Sequence, residues 1–163
     1  MVSVLFVCLG NICRSPTAEG VFTTMCRKQG VAESLHIDSA GTAGWHVGKA
    51  PDARAVTAAA QQDIDLSALR ARQVSQDDFS SFDYILAMDE DNLADLRALQ
   101  PDDTQARVDL FLDYAPGTRV RNVPDPYYGG DDGFVQVLEL VRVASAGLLT
   151  HLIARGEVTA HRG

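Results

Sequence analysis

The 163-residue sequence has few cysteines, no long run of apolar residues and a deficit of positive charge. Its three cysteines lie close together near the start, which does not suit the disulfide framework of a secreted protein. The apolar run at the start is too short for a signal sequence and lacks a basic lead-in. No run approaches the roughly 18 apolar residues that a membrane span needs. We therefore expect a protein of the reducing cytoplasm without a membrane segment.

Charge and histidine content restrict the partners further. The net charge of −8 argues against nucleic acid as the main partner. The same charge means that an anionic substrate must be attracted by a local positive site and not by the whole protein. The histidines are scattered, and no set of histidine, cysteine and carboxylate residues has the spacing of metal ligands. We expect no metal and no other cofactor.

Apolar runs alternate with helical patterns along the chain. This alternation predicts an α/β fold, a single domain with an open parallel sheet of about four strands and helices on both faces. The predicted strands are residues 2–8, 35–40, 82–88 and 108–112, and the predicted helices are residues 15–29, 51–62, 89–99 and 132–155. We expect the domain to span residues 1–155 and residues 156–163 to form a frayed tail.

The segment after the first predicted strand places a thiol and a guanidinium six positions apart, at Cys8 and Arg14. A strand-to-helix turn directs backbone N–H groups and a helix N-terminus at one small volume, which suits an anion. Arg14 can add two parallel charged hydrogen bonds to a phosphate. Cys8 would lie below that phosphate, where a positive field favours a thiolate nucleophile. The alternative is that Cys8 is a buried core residue and Arg14 a surface residue.

A second segment, residues 123–130, offers the proton donor that attack on phosphorus needs. Cleavage of a phosphate ester requires a proton for the departing oxygen, and a positioned carboxylic acid is the usual donor. Asp125 lies between two prolines in the longest irregular stretch of the chain, residues 115–133. Its local sequence is equally typical of an ordinary Asp-Pro turn, so both interpretations stay open at this point.

Taken together, these segments resemble the low-molecular-weight protein tyrosine phosphatases. The resemblance includes several separate motifs in the same order and runs from about Val2 to Arg155, which makes it specific. The matching segments are Cys8-Leu9-Gly10-Asn11-Ile12-Cys13-Arg14-Ser15-Pro16, Asp38-Ser39-Ala40-Gly41-Thr42, Trp45-His46-Val47-Gly48, Pro51-Asp52, Ala71-Arg72-Gln73, Asp83-Tyr84-Ile85-Leu86-Ala87-Met88-Asp89 and Asp125-Pro126-Tyr127-Tyr128-Gly129.

The resemblance implies a metal-independent phosphatase that hydrolyses phosphotyrosine on proteins through a phosphocysteine intermediate. It assigns the nucleophile to Cys8, stabilisation of the phosphoryl oxygens to Arg14 and acid–base catalysis to Asp125. The remaining residues of the phosphate loop would surround the phosphoryl group, chiefly through their backbone amides: Leu9, Gly10, Asn11, Ile12 and Cys13. A bacterial-type tyrosine kinase is a candidate among the protein partners.

Further roles follow from the same resemblance. Ser15 would donate a hydrogen bond to the thiolate, and Asn11 would hold a left-handed turn, which asparagine tolerates better than most residues. Ser39 would brace Asn11 from the neighbouring strand. Three aromatic side chains would form the walls of a slot for a flat ring: Trp45, Tyr127 and Tyr128. His46 is either a substrate contact or a solvated loop residue, and we expect the second.

The chain departs from the family at one position, and the resemblance suggests one regulatory cysteine. The family often carries a histidine two or three residues before Ala-Arg-Gln, where this chain has Ala68 and Leu69. The network that braces the phosphate loop must therefore be built differently here. Cys13 would capture an oxidised Cys8 as a disulfide and so protect it from irreversible oxidation.

Three other functions share parts of this pattern. An arsenate reductase of the same fold would need further cysteines late in the chain, but none follows Cys26. A protein-arginine phosphatase tends to carry threonine where this chain has Ile12, and the larger apolar side chain suits an aromatic ring better. A silent phosphate sensor would not need Cys8, Arg14 and Asp125 together.

Overall fold

A four-stranded sheet forms the centre of the molecule, in a computed structural model that describes residues 1–127 and 129–159. The strand order is β2-β1-β3-β4, and every neighbouring pair is parallel. The strands are β1 (Val2–Cys8), β2 (Leu35–Gly41), β3 (Tyr84–Ala87) and β4 (Arg107–Leu110). The predicted α/β fold with an open parallel sheet of about four strands is confirmed.

Helices cover both faces of this sheet because successive side chains of β1 point to opposite sides. Val4 and Phe6 are fully buried in the larger core, and Leu5 and Val7 are fully buried in the smaller one. The larger core receives side chains from three helices: α1 (Arg14–Lys28), α2 (Ala53–Ala60) and α5 (Asp131–Ala154). The smaller core receives side chains from α3 (Asp78–Ser81) and α4 (Glu90–Leu99).

The central position of β1 determines where a ligand can bind. β1 pairs with β2 on one side and with β3 on the other, so the chain connections diverge at its carboxyl end. In open parallel sheets, this reversal of strand order leaves a crevice beyond the carboxyl ends of the strands. The loop after Cys8 therefore lies at the position where such folds bind ligands.

Some element boundaries differ from the sequence prediction. The fourth strand ends at Leu110, and not at residue 112, because a 3₁₀ turn over Phe111–Tyr114 buries Phe111 completely. Helix α2 begins at Ala53, and not at residue 51, because the Asp52 side chain accepts a hydrogen bond from the Arg54 backbone N–H at 2.8 Å and caps the helix. Two short elements that the sequence analysis missed are α3 and a 3₁₀ turn over Ala32–Ser34.

The last helix is more apolar than the sequence analysis expected. Asp132–Ala154 is long and apolar enough to cross a membrane by length and composition alone, contrary to the expectation that no such segment exists. In the structure, however, the helix packs against α1 and has fully buried residues such as Leu148. One such helix is weak evidence for a membrane span, because a helix that packs against the core of a globular domain meets the same criteria.

Residues beyond α5 pack more closely than the predicted frayed tail. The Tyr84 hydroxyl donates a hydrogen bond to Glu157 Oε2 at 2.6 Å, and Val158 is almost completely buried. These two residues therefore belong to the packed body, which corrects the expected fraying at residue 156. The division into a domain of residues 1–155 and a tail stays a prediction, and residues 160–163 lie outside the described part of the chain.

Candidate active site

The phosphate loop connects the end of β1 to the start of α1. Cys8 is the last residue of β1, and Arg14 is the first residue of α1, so residues 9–13 form the turn between them. Cys8 and Arg14 are each about 3% exposed. A tight turn that ends in a helix N-terminus concentrates backbone N–H groups and positive potential beside the thiol.

Hydrogen-bond donors surround the Cys8 sulfur. The Asn11 backbone N–H donates to Cys8 Sγ at 3.3 Å, and Ser15 Oγ lies 3.0 Å from the same sulfur. When the sulfur is a thiolate, Ser15 must be the donor because a thiolate can only accept. These contacts stabilise negative charge on sulfur and hold it in one orientation.

Asn11 connects the phosphate loop to three other parts of the protein. Its φ angle of 58° lies in the left-handed region, as the sequence analysis expected for this residue. The Asn11 side-chain amide donates to Ser15 Oγ at 2.8 Å and to Ser39 Oγ at 3.0 Å. Its side-chain oxygen accepts from the Arg72 backbone N–H at 3.0 Å. Ser39 therefore lies where the bracing role would require it.

A half-buried carboxyl group, that of Glu19, continues this network, and the sequence analysis did not assign it a role. The Ser39 hydroxyl donates to Glu19 Oε1 at 2.7 Å. Burial raises the pKa of Glu19 to about 7, although the hydrogen bond from Ser39 acts in the opposite direction. Glu19 follows Ser15 by one helical turn, so both side chains lie on the same face of α1. The four-residue spacing from Ser15 could have indicated that Glu19 belongs to the network beside the phosphate loop.

The position of the missing family histidine contains no polar group. Leu69 is partly buried and packs against the larger core. The backbone of Arg72 supplies the bond to Asn11 in this chain, and the Arg72 guanidinium is held by Asp38 at 3.0 Å and by both oxygens of Asp78 at 3.0 and 3.1 Å. The loop is thus braced without a histidine, by an arginine backbone fixed in place through two carboxylates.

Arg14 is held by residues from two distant segments. Its Nη1 donates to Asp89 Oδ2 at 2.6 Å and to the Val123 carbonyl at 3.0 Å, and its Nη2 lies 3.7 Å from Asp125 Oδ2. Burial alone would lower the pKa of Arg14, but the nearby Cys8, Asp89 and Asp125 outweigh this effect and raise it. The guanidinium is therefore permanently charged and fixed in orientation.

Asp89 is a second residue to which the sequence analysis gave no role in the site. It lies two residues after the end of β3, at the same edge of the sheet as Cys8. One carboxylate oxygen caps α4 by accepting from the Asn92 backbone N–H at 2.7 Å, and the other accepts from Arg14. Its position just beyond the carboxyl end of a central strand could have indicated a place in the site.

The aspartate loop, which carries Asp125 and comprises residues 123–130, lies above the phosphate loop. It is anchored by the Val123 backbone N–H, which donates to the Met88 carbonyl at 2.8 Å. Asp125 Oδ1 accepts from the Tyr127 backbone N–H at 3.0 Å, and the Asp125 side chain is 40% exposed. The carboxyl group is accordingly open to the solvent side of the site and close to Arg14.

A cavity of about 270 Å³ opens above these groups. Residues of the phosphate loop, the aspartate loop and the segment between β2 and α2 line it: Cys8, Leu9, Gly10, Ile12, Cys13, Arg14, Trp45, His46, Asp125 and Tyr127. Trp45 is 70% exposed, so it stands at the rim and not at the floor. The predicted aromatic wall residue Tyr128 lies outside the described residues.

His46 lies closer to the site than the sequence analysis expected. Its ring lines the cavity, and a Cβ at Gly10 would come within 2.9 Å of that ring. A glycine at this position therefore allows the histidine to lie over the phosphate loop. The ring centroid is also 6.5 Å from that of Tyr127. This packing corrects the expectation of a solvated loop histidine and favours the alternative in which His46 lies near the substrate.

Comparison with known proteins shows similarity to one phosphatase family over nearly the whole chain. Residues 3–158 match the family described as low molecular weight phosphotyrosine protein phosphatase. The low molecular weight protein-tyrosine-phosphatase YfkJ of Bacillus subtilis is 40% identical over 152 residues, which are 93% of this chain and 96% of that protein.

Solved structures agree with the sequence match. A protein tyrosine phosphatase from Entamoeba histolytica, with Hepes in its active site, superimposes with a TM-score of 0.91 at 35% identity, over 96% of this chain and 99% of that one. A Drosophila arginine phosphatase superimposes with a TM-score of 0.85 at 32% identity, over 91% and 96%. A family match over this length, together with such a relative, shows that the chain belongs to the low molecular weight phosphotyrosine protein phosphatase family.

Proposed function

We propose that this protein hydrolyses phosphotyrosine on proteins, with Cys8 as nucleophile, Arg14 as phosphate ligand and Asp125 as acid and base. One observation supports the proposal most directly: these three side chains, from two distant segments, line the same cavity. A thiol held by donors, a fixed guanidinium and an accessible carboxyl group are the groups that phosphoryl transfer to sulfur requires.

The first step transfers the phosphoryl group from the tyrosine oxygen to sulfur. The Cys8 thiolate attacks phosphorus, so an S–P bond forms as the P–O bond to the phenol breaks. Asp125, in its protonated form, gives its proton to the departing phenolate oxygen. The products are phosphocysteine, the dephosphorylated tyrosine side chain of the substrate protein and an Asp125 carboxylate.

The second step returns the enzyme to its starting state. The Asp125 carboxylate takes a proton from a water molecule as that water attacks phosphorus. The S–P bond breaks and leaves the Cys8 thiolate, which Ser15 and the Asn11 N–H stabilise as a leaving group. Inorganic phosphate departs, and Asp125 again carries the proton needed for the next cycle.

Arg14 supplies the electrostatic part of catalysis. Charge is spread over the equatorial phosphoryl oxygens in the transition state, and a preoriented guanidinium binds it without reorganisation. Asp89 and the Val123 carbonyl hold Nη1 of the guanidinium, and Arg14 lines the cavity. The amides of residues 9–13 would complete the cradle.

The aromatic rim supports a preference for phosphotyrosine over phosphoserine. A phosphate bound at Cys8 lies below Trp45 and Tyr127, and a long flat side chain can reach it while stacking on these rings. We propose phosphotyrosine-containing proteins as the substrates, among them a bacterial-type tyrosine kinase. The three cysteines are all free, which fits a reducing cytoplasm.

The structural similarity to an arginine phosphatase makes phosphoarginine the second candidate substrate. Ile12 lines the cavity and gives it an apolar wall, which favours an aromatic ring over a guanidinium. Comparison of kcat/KM for phosphotyrosine and phosphoarginine peptides decides between them. The Ile12→Thr variant is expected to shift the ratio toward phosphoarginine, and a wild-type preference for phosphoarginine would reverse our assignment.

The catalytic proposal is tested by removing the nucleophile. Cys8→Ser should abolish turnover of a phosphotyrosine peptide and still bind inorganic phosphate, because backbone amides and Arg14 remain. Cys26→Ala is the matched control, since Cys26 is buried in the larger core and should leave activity intact. Acid-quenched wild type should carry phosphate on Cys8 by mass spectrometry, and activity should survive metal chelation. Turnover by Cys8→Ser would refute the proposal.

A further inference from the structure

We propose that Asp52 and Arg54 form a clamp that connects the phosphate loop to the aspartate loop and positions Asp125 for proton transfer. This inference rests on the proposed function, in which Asp125 is the general acid. Neither Asp52 nor Arg54 is among the described residues that line the cavity above Cys8. Arg54 lies instead along a groove beside α2, so it would act on the reaction through other groups.

The clamp is attached to the phosphate loop through a backbone hydrogen bond. The Asp52 backbone N–H donates to the Ile12 carbonyl at 2.7 Å. The Asp52 side chain then caps α2 by accepting from the Arg54 backbone N–H at 2.8 Å. Asp52 is therefore fixed both to the loop that binds phosphate and to the first turn of a helix.

Asp52 and Arg54 form a bidentate ion pair. Arg54 Nε donates to Asp52 Oδ1 at 3.1 Å, and Arg54 Nη2 lies 3.1 Å from Asp52 Oδ2. Hydrogen bonds from the Arg54 side chain lower the pKa of Asp52, which keeps it ionised at neutral pH. A bidentate pair fixes the plane of the guanidinium as well as its position.

The outer edge of the same guanidinium donates hydrogen bonds to the aspartate loop. Arg54 Nη2 donates to the Tyr127 carbonyl at 2.9 Å, and Nη1 donates to the Gly129 carbonyl at 3.2 Å. The guanidinium carbon also lies 4.6 Å from the ring centroid of Phe134 and 5.8 Å from that of Tyr127. These contacts restrict the loop to one position relative to α2.

Tyr127 transmits this restraint to the catalytic carboxyl group. Its backbone N–H donates to Asp125 Oδ1 at 3.0 Å, while its carbonyl accepts from Arg54. The residue is thus held from both sides, and its N–H is presented to Asp125 in a fixed direction. Since a displacement of about 1 Å can cost a hundredfold in rate, release of the Tyr127 carbonyl should reduce proton transfer.

Arg54→Met removes the donors and keeps a long apolar side chain against Phe134. Arg54→Lys keeps the charge beside Asp52 but cannot donate to the carboxylate and both carbonyls in one plane. Arg142→Met is the control, because Arg142 pairs with Glu139 on an exposed part of α5. All variants are compared by kcat/KM on phenyl phosphate, whose leaving group needs a proton, and on 4-nitrophenyl phosphate, whose leaving group needs less help.

The expected result is a loss that depends on the leaving group. Arg54→Met should reduce kcat/KM for phenyl phosphate by about 10- to 100-fold and affect 4-nitrophenyl phosphate much less. Arg54→Lys should fall between Arg54→Met and wild type. The inhibition constant of inorganic phosphate should stay within about twofold of wild type, since the phosphate cradle is intact. Equal losses on both substrates, or weaker phosphate binding, would overturn the positioning role.

A double-mutant cycle separates positioning from a general structural effect. In an Asp125→Asn background there is no acid to position, so adding Arg54→Met should cause little further loss. Multiplicative losses would show that Arg54 acts independently of Asp125 and would refute the clamp. Wild-type rates in Asp125→Asn would instead refute the proposed function itself, which makes the two failures distinguishable.

Discussion

Replacement of Asn11 tests whether hydrogen bonds or backbone conformation explain the asparagine in the phosphate loop. Asn11 is 2% exposed and has a φ angle of 58°, which alanine adopts only with strain. Its side chain makes hydrogen bonds to Ser15, Ser39 and the Arg72 backbone. Asn11→Ala removes these bonds and adds strain, whereas Asn11→Gly removes the bonds without the strain.

The expected loss of stability follows from these contacts. Each buried side-chain hydrogen bond contributes about 1 kcal/mol net, so the loss of the bonds from Asn11 costs about 3 kcal/mol in either variant. Alanine at a positive φ adds about 1 kcal/mol more than glycine does. We therefore expect the free energy of unfolding to fall by about 4 kcal/mol in Asn11→Ala and about 3 kcal/mol in Asn11→Gly.

Urea unfolding followed by circular dichroism measures both values, and inhibition by inorganic phosphate reports the geometry of the loop. Both variants should bind phosphate more weakly, because the Asn11 N–H and the Ser15 hydroxyl lose their fixed positions beside the sulfur. An Asn11→Gly protein within about 1 kcal/mol of wild type would refute the reasoning. In that case the left-handed backbone alone would explain the asparagine.

Three further predictions concern protonation, oxidation and packing. Burial raises the pKa of Glu19 to about 7 from an ordinary 4.5, so its stabilising contribution is present below about pH 4.5 and is lost as pH rises through 7. The free energy of unfolding of wild type, measured with urea, should therefore decrease between pH 5 and pH 8. The decrease in Glu19→Gln should be smaller by about 1 to 2 kcal/mol, because glutamine does not titrate. Peroxide should inactivate the enzyme by oxidising Cys8, and a thiol reductant should restore wild type but not Cys13→Ala, with irreversible sulfur acids at Cys8 by mass spectrometry. Gly147→Ala places a Cβ against the Tyr114 carbonyl, and we expect thermal unfolding to show a loss of about 3 kcal/mol.

Each of these predictions has an outcome that contradicts it. Parallel pH profiles for wild type and Glu19→Gln would show that this carboxyl group does not titrate in the range stated. Equal recovery of wild type and Cys13→Ala would mean that Cys13 serves packing alone. An unchanged melting temperature in Gly147→Ala would disprove the close approach of α5 to the 3₁₀ turn.

The sequence by itself determined the fold class and the location of the phosphate loop. Both depend on patterns that are local in the chain: a β-branched apolar run, a turn with a thiol and a guanidinium, and a helix start. Strand-to-helix alternation then restricts the sheet to a parallel arrangement. The left-handed conformation of Asn11 was expected from the family resemblance, and the φ angle of 58° agrees with it.

The sequence did not determine which distant side chains complete the site. Asp89 contacts Arg14, Glu19 contacts Ser39 and Arg54 contacts Tyr127 only because the fold brings separate segments of the chain together. Because the family histidine is missing, the sequence does not show which group braces Asn11. In the structure, the Arg72 backbone N–H donates a hydrogen bond to the Asn11 side chain.

The physical reason is that a hydrogen bond depends on distance and direction between two particular atoms. Arg14 and the Val123 carbonyl are separated by 109 positions in the chain, and their contact of 3.0 Å exists only after the core has packed. Local propensity sets where strands and helices form, but it contains no information about such pairs. The sequence therefore predicts the chemistry of the phosphate loop, and the tertiary structure decides which residues hold that loop, and the acid above it, in place.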